Sequence, residues 1–166
     1  MVHNRLSNEA LHDLMQGFIA YANNIYNVYG YFAQSLFSTG LRFSELKNNH
    51  LWVPGSEDNF LVPTLKGGLV RNIKFTELPD FAVSDVLGGN YIFNKVSNAT
   101  ICRFFLAYSP YGFIRIGTNT SAMHLYRHNK IKQLHDAGMS VSDISVYIGE
   151  KSDLNTIGYI NSFIYY

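Results

Sequence analysis

The chain has 166 residues, of which 47% are hydrophobic and 15% are charged, and its formal net charge is +1. This length suits one domain with its own core, and 12 phenylalanines and 12 tyrosines exclude an intrinsically disordered chain. The single cysteine, Cys102, excludes a disulfide framework and a cysteine-based metal site. The first residues lack the profile of a secretory signal, and no repeat or linker divides the sequence. We therefore predict a single cytoplasmic domain over residues 1–166.

The first third of the chain is predicted to be helical. Residues 15–41 carry no formal charge. They nevertheless include amide side chains, which are costly in hydrocarbon, at Asn23, Asn24, Asn27 and Gln34. We therefore expect a buried pair of helices and no contact with a membrane.

Capping residues set the expected helix boundaries in this region. Ser7 suits the N-cap of the first helix, and Gly40 can end a second helix that covers residues 28–38. Ser44 is the predicted N-cap of a short third helix.

The sequence changes to β character between residues 50 and 76. Short apolar runs are separated by the turn signals Pro54-Gly55 and Gly67-Gly68. The runs are Leu51-Trp52-Val53, Phe60-Leu61-Val62, and Leu69-Val70 continuing through Ile73-Phe75. This pattern predicts a three-stranded antiparallel sheet, and hence a mostly helical α+β fold.

Helical patterns return after this sheet. The predicted helices cover residues 98–108, 120 or 121 to 137, and 140 or 142 to 148, with the last two closed by Gly138 and Gly149. Asp153 can cap a final short helix, and residues 161–166 lack a helix signal.

Charge is segregated along the chain. No acidic residue lies between Asp85 and Asp136, while basic residues gather there and in a second strip at Lys66, Arg71 and Lys74. The basic residues of the first stretch are Lys95, Arg103, Arg115, Arg127, Lys130 and Lys132. This segregation is typical of a polyanion-binding face, and solvated side chains clustered by chance are the alternative.

Four positions could carry chemistry on a phosphate. Arg42 follows a helix-ending glycine and can be oriented by Glu45, although this motif alone favours a structural arginine–glutamate pair. Lys66 stands at the predicted hairpin turn. His124 and Arg127, three residues apart on a helix, share a face and could bind a phosphate and move a proton, or simply form a polar surface.

Together with the C-terminal motif, these positions resemble the catalytic domain of the tyrosine recombinases, the phage-integrase family. That family has an arginine in a TGLR-x-SEL motif, a hairpin lysine, a His-x-x-Arg helix, a Leu-Gly-His segment and a nucleophilic tyrosine nine residues later. The chain has Thr39-Gly40-Leu41-Arg42-Phe43-Ser44-Glu45-Leu46, Lys66, His124-Leu125-Tyr126-Arg127, Gly149-Glu150 and Tyr159 in that order. The offset selects Tyr159 over Tyr147, Tyr165 and Tyr166.

The resemblance implies cleavage and rejoining of double-stranded DNA without ATP, metal or other cofactor. Tyr159 would attack a phosphodiester to give a 3′-phosphotyrosine and a free 5′-hydroxyl. Arg42 and Arg127 would stabilise the phosphate charge, Lys66 would protonate the leaving oxygen, and His124 would assist. An integrase or recombinase acting as a tetramer on DNA is the first interpretation. A topoisomerase IB-like enzyme acting on one duplex, and a DNA-binding or assembly protein that lost the chemistry, remain alternatives.

Two departures from the family pattern stand out. Glu150 occupies the position of a hydrogen-bond-donating histidine or tryptophan, and an ionised carboxylate cannot donate. Glu150 could be protonated and donate, it could turn away and pair with Lys151 or an arginine, or it could leave the enzyme slow. A helix-end carboxylate facing solvent is the remaining alternative. The usual N-terminal DNA-clamping domain is also missing, as expected for a minimal recombinase, a chain that works with a partner, or a fragment.

Overall fold

The computed structural model describes residues 8–64, 68–109 and 124–162. Those residues form a mostly helical structure with one small sheet, which confirms the predicted α+β class. The helices are α1 (Asn8–Ile25), α2 (Asn27–Thr39), α3 (Phe43–Lys47), α4 (Asp80–Leu87), α5 (Ile92–Lys95), α6 (Asn98–Tyr108), α7 (His124–Asp136), α8 (Val141–Ile148) and α9 (Asp153–Ser162).

The sheet has three antiparallel strands in the order β1-β2-β3, as the sequence predicts. The strands are β1 (Val53–Pro54), β2 (Asn59–Val62) and β3 (Arg71–Lys74). The first and third strands are shorter than their apolar runs, because Leu51 belongs to a 3₁₀ turn and Leu69 and Val70 precede β3, whereas β2 contains its whole run. Phe60, opposite Ile73 in the register, is fully buried, so one face of the sheet covers the core.

Helix α2 lies at the centre of the molecule. It packs against α1 and α7, and its Phe32 is fully buried. The Phe32 ring contacts the rings of Phe43, Phe93 and Phe105, which come from three other helices. In the part of the chain that the structure describes, no helix is long and apolar enough to cross a membrane.

Left-handed glycines end the two helices that bound the candidate site. Gly40 (φ 67°) ends α2 and Gly149 (φ 81°) ends α8, as predicted. A side chain at Gly149 would clash with two neighbours, since its Cβ would lie 2.6 Å from Thr64 Cγ2 and 2.8 Å from Arg71 Cγ. Both turns therefore have a fixed backbone.

Some predicted boundaries are wrong. Ser44 lies inside α3, whose N-cap is Arg42, because the Glu45 carboxylate accepts the backbone N–H of Arg42. The last helix continues through Asn161, where no helix signal was recognised. Helices α4 and α5 were not predicted, and Ser7 and residues 120–123 lie outside the described residues.

Candidate functional site

Four segments that are distant in sequence meet at one cleft of about 480 Å³. They are the turn after α2, the first turn of α7, the turn after α8, and α9. The residues that line the cleft are Arg42, His124, His128, Glu150, Leu154, Asn155, Gly158 and Tyr159. Four of the six predicted site residues are among them.

Arg127 lies beneath this cleft and is fully buried. Its Nη1 donates to the Gly40 carbonyl at 3.0 Å and its Nη2 to the Ile148 carbonyl at 3.1 Å. Both carbonyls lie at C-terminal ends of helices, where unpaired carbonyl groups carry partial negative charge. The guanidinium therefore joins the ends of α2 and α8 and is held in one orientation.

Arg42 is held by a carboxylate on its own element. Its Nη1 lies 3.3 Å from Oε2 of the fully buried Glu45 side chain, while the Arg42 side chain itself is 14% exposed. The arginine–glutamate pair predicted from sequence is therefore present, and it turns the second terminal nitrogen of Arg42 toward the cleft.

Glu150 receives that nitrogen. Its Oε1 accepts from Arg42 Nη2 at 2.5 Å and from Arg127 Nη2 at 3.1 Å, and its Oε2 accepts from Asn155 Nδ2 at 3.1 Å. Of the alternatives that the sequence left open, pairing with an arginine is present, but Glu150 lines the cleft and does not turn away from it. The solvent-facing reading is wrong, because Glu150 is only 8% exposed.

The protonated form of Glu150 is also disfavoured. Burial alone raises the pKa of this carboxyl, but the Asn155 hydrogen bond and the charges of Arg42 and Arg127 outweigh burial and lower it. The carboxylate is therefore ionised at neutral pH. It also stays ionised at pH 5, so a rate increase on acidification is not expected from this group.

Tyr159 faces the same cleft from α9. Its Oη lies 2.9 Å from Nε2 of His124, so the two groups form a hydrogen bond. The His128 ring meets the Tyr159 ring edge-on at 4.7 Å, and the Arg127 guanidinium lies 5.7 Å from the ring centre. The phenol ring is thus fixed by α7, and its oxygen is directed at an imidazole that can accept a proton.

His128 is a cleft residue that the sequence analysis did not select. Burial, with the neighbouring His124 and Arg127, lowers the pKa of His128 to about 3. It is therefore neutral at physiological pH and packs on Tyr159 as an uncharged ring. Its position four residues after His124, on the same helix face, is the signal that could have identified it.

The hairpin between β2 and β3 approaches the site at Gly149. The Leu69 N–H donates to the Gly149 carbonyl at 2.8 Å, and a Cβ on Gly68 would lie 2.1 Å from that oxygen. Lys66, the predicted hairpin lysine, lies outside the described residues. The structure therefore places the flanking residue Gly68 beside the turn that carries Glu150.

Two residues counted in the predicted basic face are not on the surface. Arg127 has no exposed area, and Arg71 is 1% exposed, with its Nη2 donating to the Thr39 carbonyl at 2.8 Å. Burial lowers the pKa of Arg71 to about 10, and its guanidinium lies 4.9 Å from the centre of the Tyr147 ring. These cations support helix ends, so an anion-binding face depends on the remaining basic residues.

Tyr147, the rival tyrosine, is placed differently from Tyr159. Its hydroxyl donates to Glu77 at 3.1 Å, and burial raises its pKa. It does not line the cleft.

No group of three or more histidine, cysteine or acidic side chains suited to a metal ion occurs among residues 8–64, 68–109 and 124–162. No protein-family model matches the chain, and comparisons with curated proteins and with solved structures find no match.

Proposed function

We propose that this chain breaks and rejoins DNA strands by the chemistry of the tyrosine recombinases. The observation that carries the proposal is the 2.9 Å contact between Tyr159 Oη and His124 Nε2 inside a cleft lined by Arg42. A phenol becomes a useful nucleophile only when a base takes its proton, and the imidazole is within hydrogen-bonding distance.

The proposed step is a transesterification at phosphorus. A bond forms between Tyr159 Oη and the phosphorus, the bond to the 5′-oxygen breaks, and the phenolic proton passes to His124. The products are a 3′-phosphotyrosine and a 5′-hydroxyl. The resemblance to the family implies that Lys66 supplies the proton of this hydroxyl. Because the phosphodiester is exchanged rather than hydrolysed, the reverse reaction reseals the strand without ATP.

Arg42 and Arg127 are the proposed stabilisers of charge on the non-bridging oxygens. A guanidinium held rigidly needs no reorganisation when charge develops in the transition state. The bonds from Arg127 to Gly40 and Ile148 and from Arg42 to Glu45 supply that rigidity.

The substrate of this proposal is double-stranded DNA in the host cytoplasm, at the nucleoid, with recombination or integration by a tetramer as the biological outcome. A topoisomerase-like enzyme with the same residues would reseal one duplex and would not join two. Joining of two labelled duplexes separates these two activities.

A second candidate, a DNA-binding or assembly protein without strand cleavage, is favoured by one observation. The Glu150 carboxylate pairs with both arginines and so puts a negative charge where the phosphate would lie. This candidate predicts DNA binding with no covalent product.

A suicide-substrate assay tests the proposal. A duplex nicked beside the cleavage site loses a short fragment on attack, which traps the covalent complex on a denaturing gel. Tyr159→Phe should abolish the adduct and leave DNA binding unchanged, whereas the matched variant Tyr147→Phe should keep the adduct. The same adduct in both variants contradicts the proposal.

A further inference from the structure

Arg42, at the cleft, and Arg127, beneath it, are both bonded to the surrounding protein and both direct one terminal nitrogen at the same point. Nη1 of Arg42 pairs with Glu45, whereas Arg127 donates from Nη1 to the Gly40 carbonyl and from Nη2 to the Ile148 carbonyl. The Nη2 atoms of both side chains converge on a single oxygen, Oε1 of Glu150.

Two convergent guanidinium groups form a binding site for an oxyanion, and paired N–H donors suit phosphate and carboxylate alike. In this structure the anion is the chain's own side chain. Both of its oxygens are bound, Oε1 by the two arginines and Oε2 by Asn155. The carboxylate thus makes the contacts that two non-bridging phosphate oxygens would make.

We propose that Glu150 is an internal competitor, which keeps the oxyanion site of Arg42 and Arg127 closed until its side chain rotates out. The inference rests on the proposed function only in naming a DNA phosphodiester as the oxyanion that displaces the carboxylate.

The backbone around Glu150 makes a side-chain rotation the simplest route of opening. The Glu150 N–H donates to the Ser145 carbonyl at 2.8 Å, and the preceding Gly149 is packed against Thr64 and Arg71. The main chain is therefore held, and a change of rotamer would move the carboxylate into the cleft that Glu150 lines without moving the backbone.

Opening of the site also reaches the helix that carries the proposed nucleophile. Asn155, which holds the second carboxylate oxygen, stands four residues before Tyr159 on α9, so the two share a helix face. Departure of the carboxylate therefore breaks a hydrogen bond on the side of α9 that carries the phenol.

Such a competitor lowers the apparent affinity of the site for any oxyanion by the fraction of time that the site is open. Removal of its charge should raise that affinity without any new contact.

The test uses the full chain and inorganic sulfate, measured by titration calorimetry at constant ionic strength with chloride as the balancing ion. Glu150→Gln keeps the shape and the acceptor oxygen but removes the charge, and it should lower the sulfate Kd by about tenfold, or about 1.4 kcal/mol. Glu57→Gln makes the same charge change at an exposed residue outside the cleft and should leave the Kd unchanged.

An unchanged sulfate Kd in folded Glu150→Gln overturns the proposal. If that variant does not fold, Asn155→Ala decides, because it removes only the amide that holds Oε2 from an exposed helix position. Tighter sulfate binding in Asn155→Ala supports the competitor, and unchanged or weaker binding overturns it.

Strand cleavage is assayed separately on the same proteins. Tighter sulfate binding by Glu150→Gln without any covalent DNA adduct supports the internal competitor and contradicts the proposed function. An adduct together with unchanged sulfate binding supports the proposed function and overturns the internal competitor.

Discussion

Arg42 and Arg127 direct the same chemical group at Glu150 but contribute differently to the protein. Arg127 is completely buried and bridges the carbonyl ends of two helices, whereas Arg42 lies at the cleft surface with Glu45 as its support. Removal of either arginine should therefore impair strand cleavage, but the two removals should differ in their effect on stability.

Both Arg42→Ala and Arg127→Ala should lower strand cleavage by ~10²-fold or more, the usual cost of losing a preorganised charge stabiliser. Arg127→Ala should also lower the free energy of unfolding by about 3 kcal/mol, and by more than Arg42→Ala, because it leaves the Gly40 and Ile148 carbonyls without their buried donor, whereas Glu45 keeps the backbone N–H of residue 42. Urea unfolding and a cleavage time course measure the two effects. Equal stability losses in both variants would contradict this division of roles.

His128 should make the protein less stable in acid. The pKa of His128 is about 3 in the folded protein, below the ordinary 6.5. Between these two pH values the unfolded chain therefore binds a proton at this residue and the folded chain does not. The penalty is absent above pH 6.5 and grows as pH falls from 6.5 toward 3. Between pH 7.5 and 5 it amounts to about 2 kcal/mol.

His128→Gln should therefore lose less stability than the wild type over that interval, as measured by urea unfolding at both pH values. The matched variant His135→Gln, at an exposed position on the same helix, should behave as the wild type does. An acid response of wild-type size in His128→Gln would show that other groups cause the loss.

At the scale of elements, local signals predicted most of the architecture. Gly40 and Gly149 ended their helices as expected because a left-handed residue after a helix strongly favours glycine. Helix α4 was missed since its first turn follows Pro79 rather than a capping side chain. The first and third strands are shorter than their apolar runs because an apolar run marks burial, whereas pairing depends on register with a distant partner.

The turn at Gly149 gives a sharp test of the packing between the hairpin and α8. Gly149→Ala must adopt φ 81° and place a methyl against Thr64 and Arg71, so it should destabilise the protein by about 2 kcal/mol or more. Gly17→Ala adds the same methyl inside α1 with nothing within 4 Å and should stabilise by about 0.5–1 kcal/mol. Thermal unfolding of both variants measures the difference, and a neutral Gly149→Ala would contradict the fixed turn.

At the scale of the whole molecule, the sequence identified which segments form the site but not how their side chains pair. Motif order selected Arg42, His124, Arg127, Glu150 and Tyr159, and the structure brings them together. The convergence of two arginines on one glutamate oxygen could not be predicted, because it depends on the rotamers of three side chains, and Arg42 lies 108 positions from Glu150. The burial of Arg127 could not be predicted either, since composition does not distinguish an arginine that binds helix-end carbonyls from one on the surface.

DNA binding should be weak and strongly salt-dependent, with contacts made by exposed basic residues such as Lys95 and Arg103. Replacement of either by alanine should reduce the slope of log affinity against log salt concentration by about one. Titration of a labelled duplex at several salt concentrations measures this slope. Tight binding that does not respond to salt would contradict an electrostatic interface.

The central claim, that Tyr159 is the nucleophile for DNA cleavage, is tested most directly by mass spectrometry of the protein trapped on a suicide substrate. The expected result is a 3′-phosphonucleotide on the peptide that contains Tyr159, together with a free 5′-hydroxyl on the released strand. Attachment at Tyr147 or another residue, or the absence of any adduct from folded, DNA-bound protein, would contradict it.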